Sequence, residues 1–99
     1  MRVLCVFGTR PEAIKMAPVI RELKRYPEYF EVRICVTAQH REMLDQVLNL
    51  FNIQPDIDLN LMEPNQALSE LTSRVITTMT RVLERERPDW VLIQGVPRP

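Results

Sequence analysis

The sequence VLCVFGTRPEAIK, residues 3–15, contains the transition that decides the fold. Its first five residues are continuously apolar and end at Gly8, which is typical of a β-strand buried on both faces of a sheet. Over residues 11–24 the apolar positions recur at helical spacing. Thr9 and Glu12 form a T-x-x-E capping box, so the helix is predicted to begin there. The stretch therefore predicts a strand that passes directly into a helix.

The same alternation of extended and helical patterns continues along the chain. Apolar or alternating runs predict three further strands, and apolar spacings of three and four predict two further helices. The predicted strands are residues 32–37, 57–61 and 90–93, and the predicted helices are residues 40–51 and 66–87. The positions predicted to face the core are Ala13, Ile14, Ala17, Ile20 and Leu23 on the first helix, and Met43, Leu44, Val47, Leu48 and Phe51 on the second.

This alternation of strands and helices predicts the fold class. It favours parallel pairing with right-handed crossovers, and hence an α/β fold: a three-layer Rossmann-like parallel sheet of order 3-2-1-4. Residues 1–99 are expected to form one partial Rossmann-like domain. In this order the first and fourth strands are neighbours, and each is followed by one of the chain's two glycines, Gly8 and Gly95. Open α/β sheets bind ligands beyond the carboxyl ends of their strands at such a switch point.

Composition limits the classes of function. The chain has 99 residues, and its thirteen basic and thirteen acidic residues cancel, so no net field favours nucleic acid or a membrane surface. No apolar stretch approaches the roughly 20 residues that span a bilayer, and no signal peptide is recognised. Cys5 and Cys35 lie in apolar runs and are predicted to be buried thiols, which favours a cytoplasmic location. The single histidine, His40, has no companion ligands, so no metal site is predicted.

Two cations stand where the first strand is predicted to pass into the first helix. A helix N-terminus presents unpaired N–H groups and the positive end of the helix dipole, which together favour an anion. Arg10 lies in the first turn and Lys15 further along, and we interpret them, with Gly8 admitting a ligand to the backbone, as a phosphate or diphosphate site. The residues alone also allow both cations to be solvated and Gly8 to serve only the turn. The stretch matches neither a G-x-G-x-x-G fingerprint nor a Walker A loop.

Three blocks of sequence resemble those of one family. FGTRPEAIKMAP at residues 7–18, VTAQHREMLDQVLNLF at 36–51 and PDWVLIQG at 88–95 are similar, in order and spacing, to blocks of the non-hydrolysing UDP-N-acetylglucosamine 2-epimerases. The resemblance implies a two-domain, glycosyltransferase-B-like fold with its active site between the domains. It implies that UDP-GlcNAc and UDP-ManNAc are interconverted for surface polysaccharides, through elimination of UDP to a 2-acetamidoglucal and its re-addition with C2 inverted. A UDP-sugar substrate, a homodimer and no nicotinamide or other cofactor are expected.

The resemblance also implies roles for individual residues. The family's arginine and lysine in GTRPEAIK contact the nucleotide-sugar, which by position gives Arg10 and Lys15 as substrate-binding residues, with Gly8 and Thr9 beside them. A leaving UDP needs cations on its developing phosphate charge, in agreement with the interpretation from the residues alone.

A second site is implied in the second block. Gln39, His40 and Arg41 resemble a region near a regulatory UDP-GlcNAc site in bacterial members of the family. His40 could equally be a residue at a helix start that bonds nearby backbone, so both interpretations stay open.

The chain departs from the family pattern after its third block. The family continues with G-D-T-T-T, whereas this chain has Val96 in the position of the catalytic aspartate, followed by residues 97–99. The second domain of the family is absent from the sequence. We therefore expect a truncated chain that is inactive alone, with its catalytic residues unknown. The alternative is a non-catalytic module that binds a nucleotide-sugar or assembles with itself through the open edge of its fourth strand.

Overall fold

The computed structural model describes residues 1–8, 10–37, 41–59 and 68–93. Strands and helices alternate through this part of the chain. The elements are β1 (Arg2–Phe7), α1 (Arg10–Lys24), β2 (Glu31–Val36), α2 (Arg41–Leu50), β3 (Ile57–Asp58), α3 (Leu68–Glu86) and β4 (Trp90–Ile93). None of the helices in the described ranges has both the length and the apolar character that crossing a bilayer requires.

The four strands form one parallel sheet in the order β3-β2-β1-β4, which confirms the predicted fold class and strand order. The central strand β1 pairs with β2 over its whole length and with β4 from Val3 to Val6. The third strand is shorter than predicted, because only Ile57 and Asp58 pair with β2. Leu59 still donates its N–H to the carbonyl of Val36 at 2.9 Å, and residues 60 and 61 lie outside the described ranges.

Helices cover both faces of the sheet, which gives the predicted three layers. The core on one face joins β1 and β2 to α1 and α2, and the core on the other joins the sheet to α3. The first core contains Val3, Cys5, Phe7, Ala13, Met16, Ala17, Ile20, Ile34, Val36, Leu44, Val47, Leu48 and Ile53. The second contains Leu4, Val6, Cys35, Ile57 and Val82. The strand β1 is buried from both sides because its side chains alternate between these two cores.

One predicted core residue of α1 is wrong. Ile14 is 45% exposed, whereas Ala13, Met16, Ala17 and Ile20 are buried. Successive residues of a helix are about 100° apart around its axis, and Ile14 falls beyond the arc that meets the sheet. The predicted apolar face is thus one residue too wide, and Met16 is the member that the pattern missed.

Phe51 is the second wrong assignment, since it is 44% exposed just after the last residue of α2. The chain leaves the helix through Asn52, which has a left-handed φ of 56°. Asn52 donates its N–H to the carbonyl of Asn49, and Ile53 donates to that of Leu48 at 2.8 Å. This pattern is a Schellman motif, whose hydrophobic contact joins Ile53 and Leu48. The turn therefore buries Ile53 in place of Phe51.

An ion-pair network joins the end of α3 to the amino-terminal half of the sheet. Arg33 Nε donates to Glu86 Oε1 at 2.6 Å, and Arg33 Nη1 lies 3.4 Å from Asp56 Oδ1. Arg2 Nη1 donates to the carbonyl of Glu86 at 2.6 Å, while Asp56 Oδ2 accepts the N–H of Ile34. Glu86 is buried, and its hydrogen bond from Arg33 lowers the pKa of its carboxyl below the ordinary value, although burial alone would raise it. These contacts fix α3 against β2 through groups that lie far apart in the sequence.

The two cysteines are free and buried, as predicted, and burial raises the pKa of each thiol to about 11. Because the thiolate is the reactive form, we expect both to react with a disulfide reagent at pH 8 roughly 100-fold more slowly in the folded chain than in denaturant. The absorbance of the released product, followed over time, would measure these reaction rates. In the denatured chain both thiols should react. Rapid labelling of Cys5 or Cys35 in the folded chain would contradict their burial.

Candidate functional site

The candidate site lies at the carboxyl ends of β1 and β2. Gly8 follows β1 directly, and α1 begins at Arg10, so the strand passes into the helix within a few residues. Thr37 follows β2 and donates its N–H to the carbonyl of Phe7 at 3.1 Å. The short connection places the N-terminus of α1 at the edge of the sheet where parallel strands end.

The absence of a side chain at Gly8 makes room for the close approach of Thr37. Gly8 is buried, and a Cβ built on it would overlap Oγ1 of Thr37. Its φ is not positive, so no left-handed backbone conformation demands a glycine here. The space that the missing side chain leaves is thus filled by the neighbouring strand, which brings β1 and β2 together at the edge of the site.

Glu12 closes the turn between β1 and α1. Its Oε1 accepts the N–H of Gly8 at 2.8 Å, which satisfies a backbone donor that precedes the helix. The sequence predicted a capping box between Thr9 and Glu12. Thr9 lies outside the described residues, so the predicted box stays a prediction, and the bond seen from Glu12 is to Gly8, one residue before the predicted cap. The negative charge of the Glu12 carboxylate also interacts favourably with the positive end of the helix dipole.

Arg10 and Lys15 both lie on α1 with exposed side chains. A separation of five residues places them about 140° apart around the helix axis and about 7.5 Å apart along it. Among the described residues, neither cation has an ion-pair partner. An anion at the N-terminus of α1 would meet Arg10 at the first helical position, and Lys15 would reach that anion only through its long stem.

The predicted switch point requires β4 to lie beside β1, and the structure has this arrangement. Val6 of β1 is in register with Ile93 of β4, so the carboxyl ends of these two strands lie side by side. Other predicted site residues, Thr9, Gln39, His40, Gly95 and Val96, lie outside the described residues. Arg41 is the first residue of α2.

Sequence reasoning missed Thr37 and the contact between Glu12 and Gly8. Thr37 directly follows a buried strand that pairs with β1, and this position could have indicated it. Within the described ranges, no group of three or more histidine, cysteine, aspartate or glutamate side chains is arranged to hold a metal ion. The backbone N–H groups at the N-terminus of α1, together with the exposed cations Arg10 and Lys15, form an arrangement that can bind an anion.

Comparison with known proteins assigns the chain to a family. The family model described as UDP-N-acetylglucosamine 2-epimerase matches residues 21–95. The chain belongs to this family. It is 60% identical over 95 residues to a UDP-N-acetylglucosamine 2-epimerase of Neisseria meningitidis, and 58% identical over 95 residues to one of Escherichia coli. Each alignment covers 96% of this chain and 25% of the relative.

Solved structures of the family have the same fold over this segment. The Neisseria meningitidis enzyme bound to UDP-GlcNAc has a TM-score of 0.89 and 59% identity, covering 98% of this chain and 26% of that one. The epimerase of Methanocaldococcus jannaschii has a TM-score of 0.83 at 30% identity, covering 98% of this chain and 25% of that one. The chain thus spans about a quarter of the length of the epimerases that it matches.

Proposed function

We propose that this chain supplies the diphosphate-binding part of a UDP-N-acetylglucosamine 2-epimerase. The observation that carries the proposal is the exposed Arg10 at the N-terminus of α1, beyond the carboxyl end of β1 and beside the strand switch point. A helix terminus with an unpaired guanidinium favours a phosphate, and bidentate hydrogen bonding suits its oxygens. Support comes from the relative whose structure holds UDP-GlcNAc, since it has this fold at 59% identity.

The proposed reaction is the interconversion of UDP-GlcNAc and UDP-ManNAc in polysaccharide precursor synthesis. When UDP leaves the sugar, negative charge develops on the diphosphate, and Arg10 with Lys15 would stabilise that charge. Gly8 and Thr9 would form the turn beneath it. The residues that move protons on the sugar are not assigned in this chain, where Val96 stands in the position of the family's aspartate. Catalysis is therefore proposed for a complete enzyme that contains this segment.

Several further features belong to the same proposal. Residues 1–99 would be the first part of the N-terminal domain of a glycosyltransferase-B-like enzyme, in which a second domain closes the site. The complete enzyme would be a homodimer, would use no nicotinamide and would bind no nucleic acid. Gln39 and His40 would lie near a regulatory UDP-GlcNAc site. The two buried free thiols favour the cytoplasm as the compartment.

The proposal is tested by titrating the isotope-labelled chain with UDP and following its amide proton–nitrogen NMR signals. We expect shifts concentrated at Gly8, at Arg10–Lys15 and at Thr37, and a roughly tenfold weaker affinity for an Arg10→Ala variant, because one charge-assisted contact is lost. Uridine, which lacks phosphates, should leave these signals unchanged.

The matched control is Arg25→Ala, which removes an exposed arginine that pairs with Glu22 just after α1. Its affinity for UDP should equal that of the unaltered chain. If the Arg10→Ala and unaltered chains bind UDP with equal affinity, Arg10 does not contribute to the site. A folded chain whose signals ignore UDP would show that this segment does not hold a diphosphate.

A further inference from the structure

The turn that is proposed to bind an anion contains a carboxylate of its own. Glu12 is the acidic residue in the first turn of α1, two residues after Arg10, and it is half-buried. Its Oε1 accepts the backbone N–H of Gly8 at 2.8 Å, and this bond holds the carboxylate beside the carboxyl end of β1. A negative charge is therefore fixed at the place where a negatively charged ligand is expected.

The hydrogen bond to Gly8 accounts for an oxygen acceptor at position 12, but it does not require a charge. The amide oxygen of a glutamine can accept the same N–H. The charge of Glu12 interacts favourably with the helix dipole, and it also repels any anion that approaches the same helix terminus. The charge thus has a consequence for ligand binding that the hydrogen bond alone does not have.

Two backbone positions of this turn cannot donate to a ligand. The N–H of Gly8 already bonds to Glu12, and Pro11 has no N–H. The helix leaves the N–H groups of Arg10, Glu12 and Ala13 without an intrahelical acceptor. Because the backbone supplies so few donors, the balance of side-chain charges has a large share in deciding how tightly an anion binds.

The charge that Glu12 opposes differs between two ligands of the proposed reaction. In a UDP-sugar the terminal phosphate is esterified, so it carries about one negative charge, whereas in free UDP its second proton dissociates with a pKa of about 6. Free UDP therefore carries about one more negative charge than a UDP-sugar at neutral pH. The extra charge lies on the phosphate from which the sugar has departed.

We propose that the Glu12 carboxylate shifts the preference of this site from free UDP towards a UDP-sugar. The inference rests on the proposed function, because it requires a diphosphate beside Arg10. Arg10 and Lys15 attract both ligands, and they attract free UDP more strongly because of its extra charge. Glu12 repels free UDP more strongly for the same reason, and so it offsets part of that difference. Free UDP then competes less well with the nucleotide-sugar for the site.

The test compares a Glu12→Gln variant with the unaltered chain in titrations with UDP and with UDP-GlcNAc at about pH 7.5, where free UDP carries its extra charge. Glutamine keeps the acceptor for Gly8 and removes the charge. A unit charge about 6 Å away changes affinity roughly threefold even in the dielectric of water, so UDP should bind at least about threefold more tightly. The gain for UDP-GlcNAc should be smaller. A merely structural effect of the substitution would not depend on the charge of the ligand.

Two further variants serve as controls. Glu22→Gln removes the same charge from the same helix, about 15 Å further along the axis, where Glu22 pairs with Arg25. At a salt concentration of about 0.15 M the Debye length is about 8 Å, so this variant should bind UDP as the unaltered chain does. Glu12→Asp shortens the side chain and keeps the charge, so its affinity for UDP should not rise. Circular dichroism checks that every variant folds.

Three results would overturn the proposal and leave the proposed function standing. The first is UDP binding that is no tighter in Glu12→Gln than in the unaltered chain, and the second is an equal gain for UDP and UDP-GlcNAc. The third is a gain in Glu12→Asp as large as that in Glu12→Gln, which would assign the effect to the released N–H of Gly8. If neither Glu12→Gln nor the unaltered chain binds UDP, both proposals are wrong.

Discussion

An Arg33→Ala variant is expected to lose about 2–3 kcal/mol of unfolding free energy, because it removes the main partner of a buried carboxylate. Arg33 donates to Glu86 at 2.6 Å and also lies near Asp56. Without it, Glu86 keeps only weaker interactions, including a 3.9 Å approach by Arg85. The measurement is urea unfolding followed by circular dichroism. For a chain of 99 residues, a loss of this size should lower the melting temperature by roughly 10–20 °C.

The control for this variant is Arg25→Ala. Arg25 and Glu22 form an ion pair of similar chemistry at 3.2 Å, but both side chains are well exposed. Such surface pairs contribute on the order of 0–1 kcal/mol, so the control should unfold almost as the unaltered chain does. Equal losses from the two substitutions would contradict the assignment of Glu86 as a buried, arginine-dependent group.

The effect of Arg33→Ala should also depend on pH in a defined direction. The pKa of Glu86 in the folded chain lies below its ordinary value of 4.5, mainly because of the hydrogen bond from Arg33. This contribution to stability is full above pH 4.5, and it is lost as the pH falls through the lowered pKa. The difference between the two proteins should therefore be constant near neutrality and shrink in acid. A difference that grows in acid would reverse this sign.

A Gly8→Ala variant is expected to be about 1–2 kcal/mol less stable, because its new Cβ would overlap Oγ1 of Thr37 and the threonine side chain would have to leave its rotamer. The sign of this change in unfolding free energy is informative. Gly8 has no positive φ, and at an unhindered position of this kind alanine would instead stabilise the protein by about 0.4–1 kcal/mol, through the unfolded state. Chemical denaturation distinguishes the two outcomes directly.

The double variant Gly8→Ala with Thr37→Ala isolates the contact. Removing Oγ1 makes room for the new methyl group, so the double variant should recover at least about 1 kcal/mol relative to the sum of the single effects. UDP titration of the same set adds a functional measurement, because Gly8 also precedes the helix that carries Arg10. Strictly additive losses would mean that Thr37 is not what excludes a side chain at Gly8.

The parts of this fold that follow from hydrophobic periodicity can be predicted from the sequence. The continuous apolar run of β1 and the helical spacing of α1 and the later helices set the order of elements, and the connection rules then give the strand order β3-β2-β1-β4. The position of Arg10 at the start of α1 also follows from the sequence pattern, whereas the anion-binding role of this turn stays a prediction. Family resemblance adds the proposed substrate class, which no local pattern contains.

The remaining features depend on contacts that spacing cannot show. Asn52 has to adopt a left-handed conformation before Ile53 can replace Phe51 in the core, and nothing in the apolar pattern marks that turn. Arg33 and Glu86 are 53 residues apart, and either alone resembles an ordinary surface charge. The role of Thr37 depends on how closely two strands approach. Each of these features depends on residues that become neighbours only in the folded structure.

The position of β1 in the middle of the sheet also has a consequence for the order of folding. Its pairing with β2 closes a connection of one helix, whereas its contact with β4 joins Arg2 to Asp89 across 87 residues of chain. Closing so long a loop loses more chain entropy, and non-local contacts slow folding. During synthesis the unit β1-α1-β2 is therefore complete first. The strand β1 gains its second neighbour only after Trp90–Ile93 has also been synthesised.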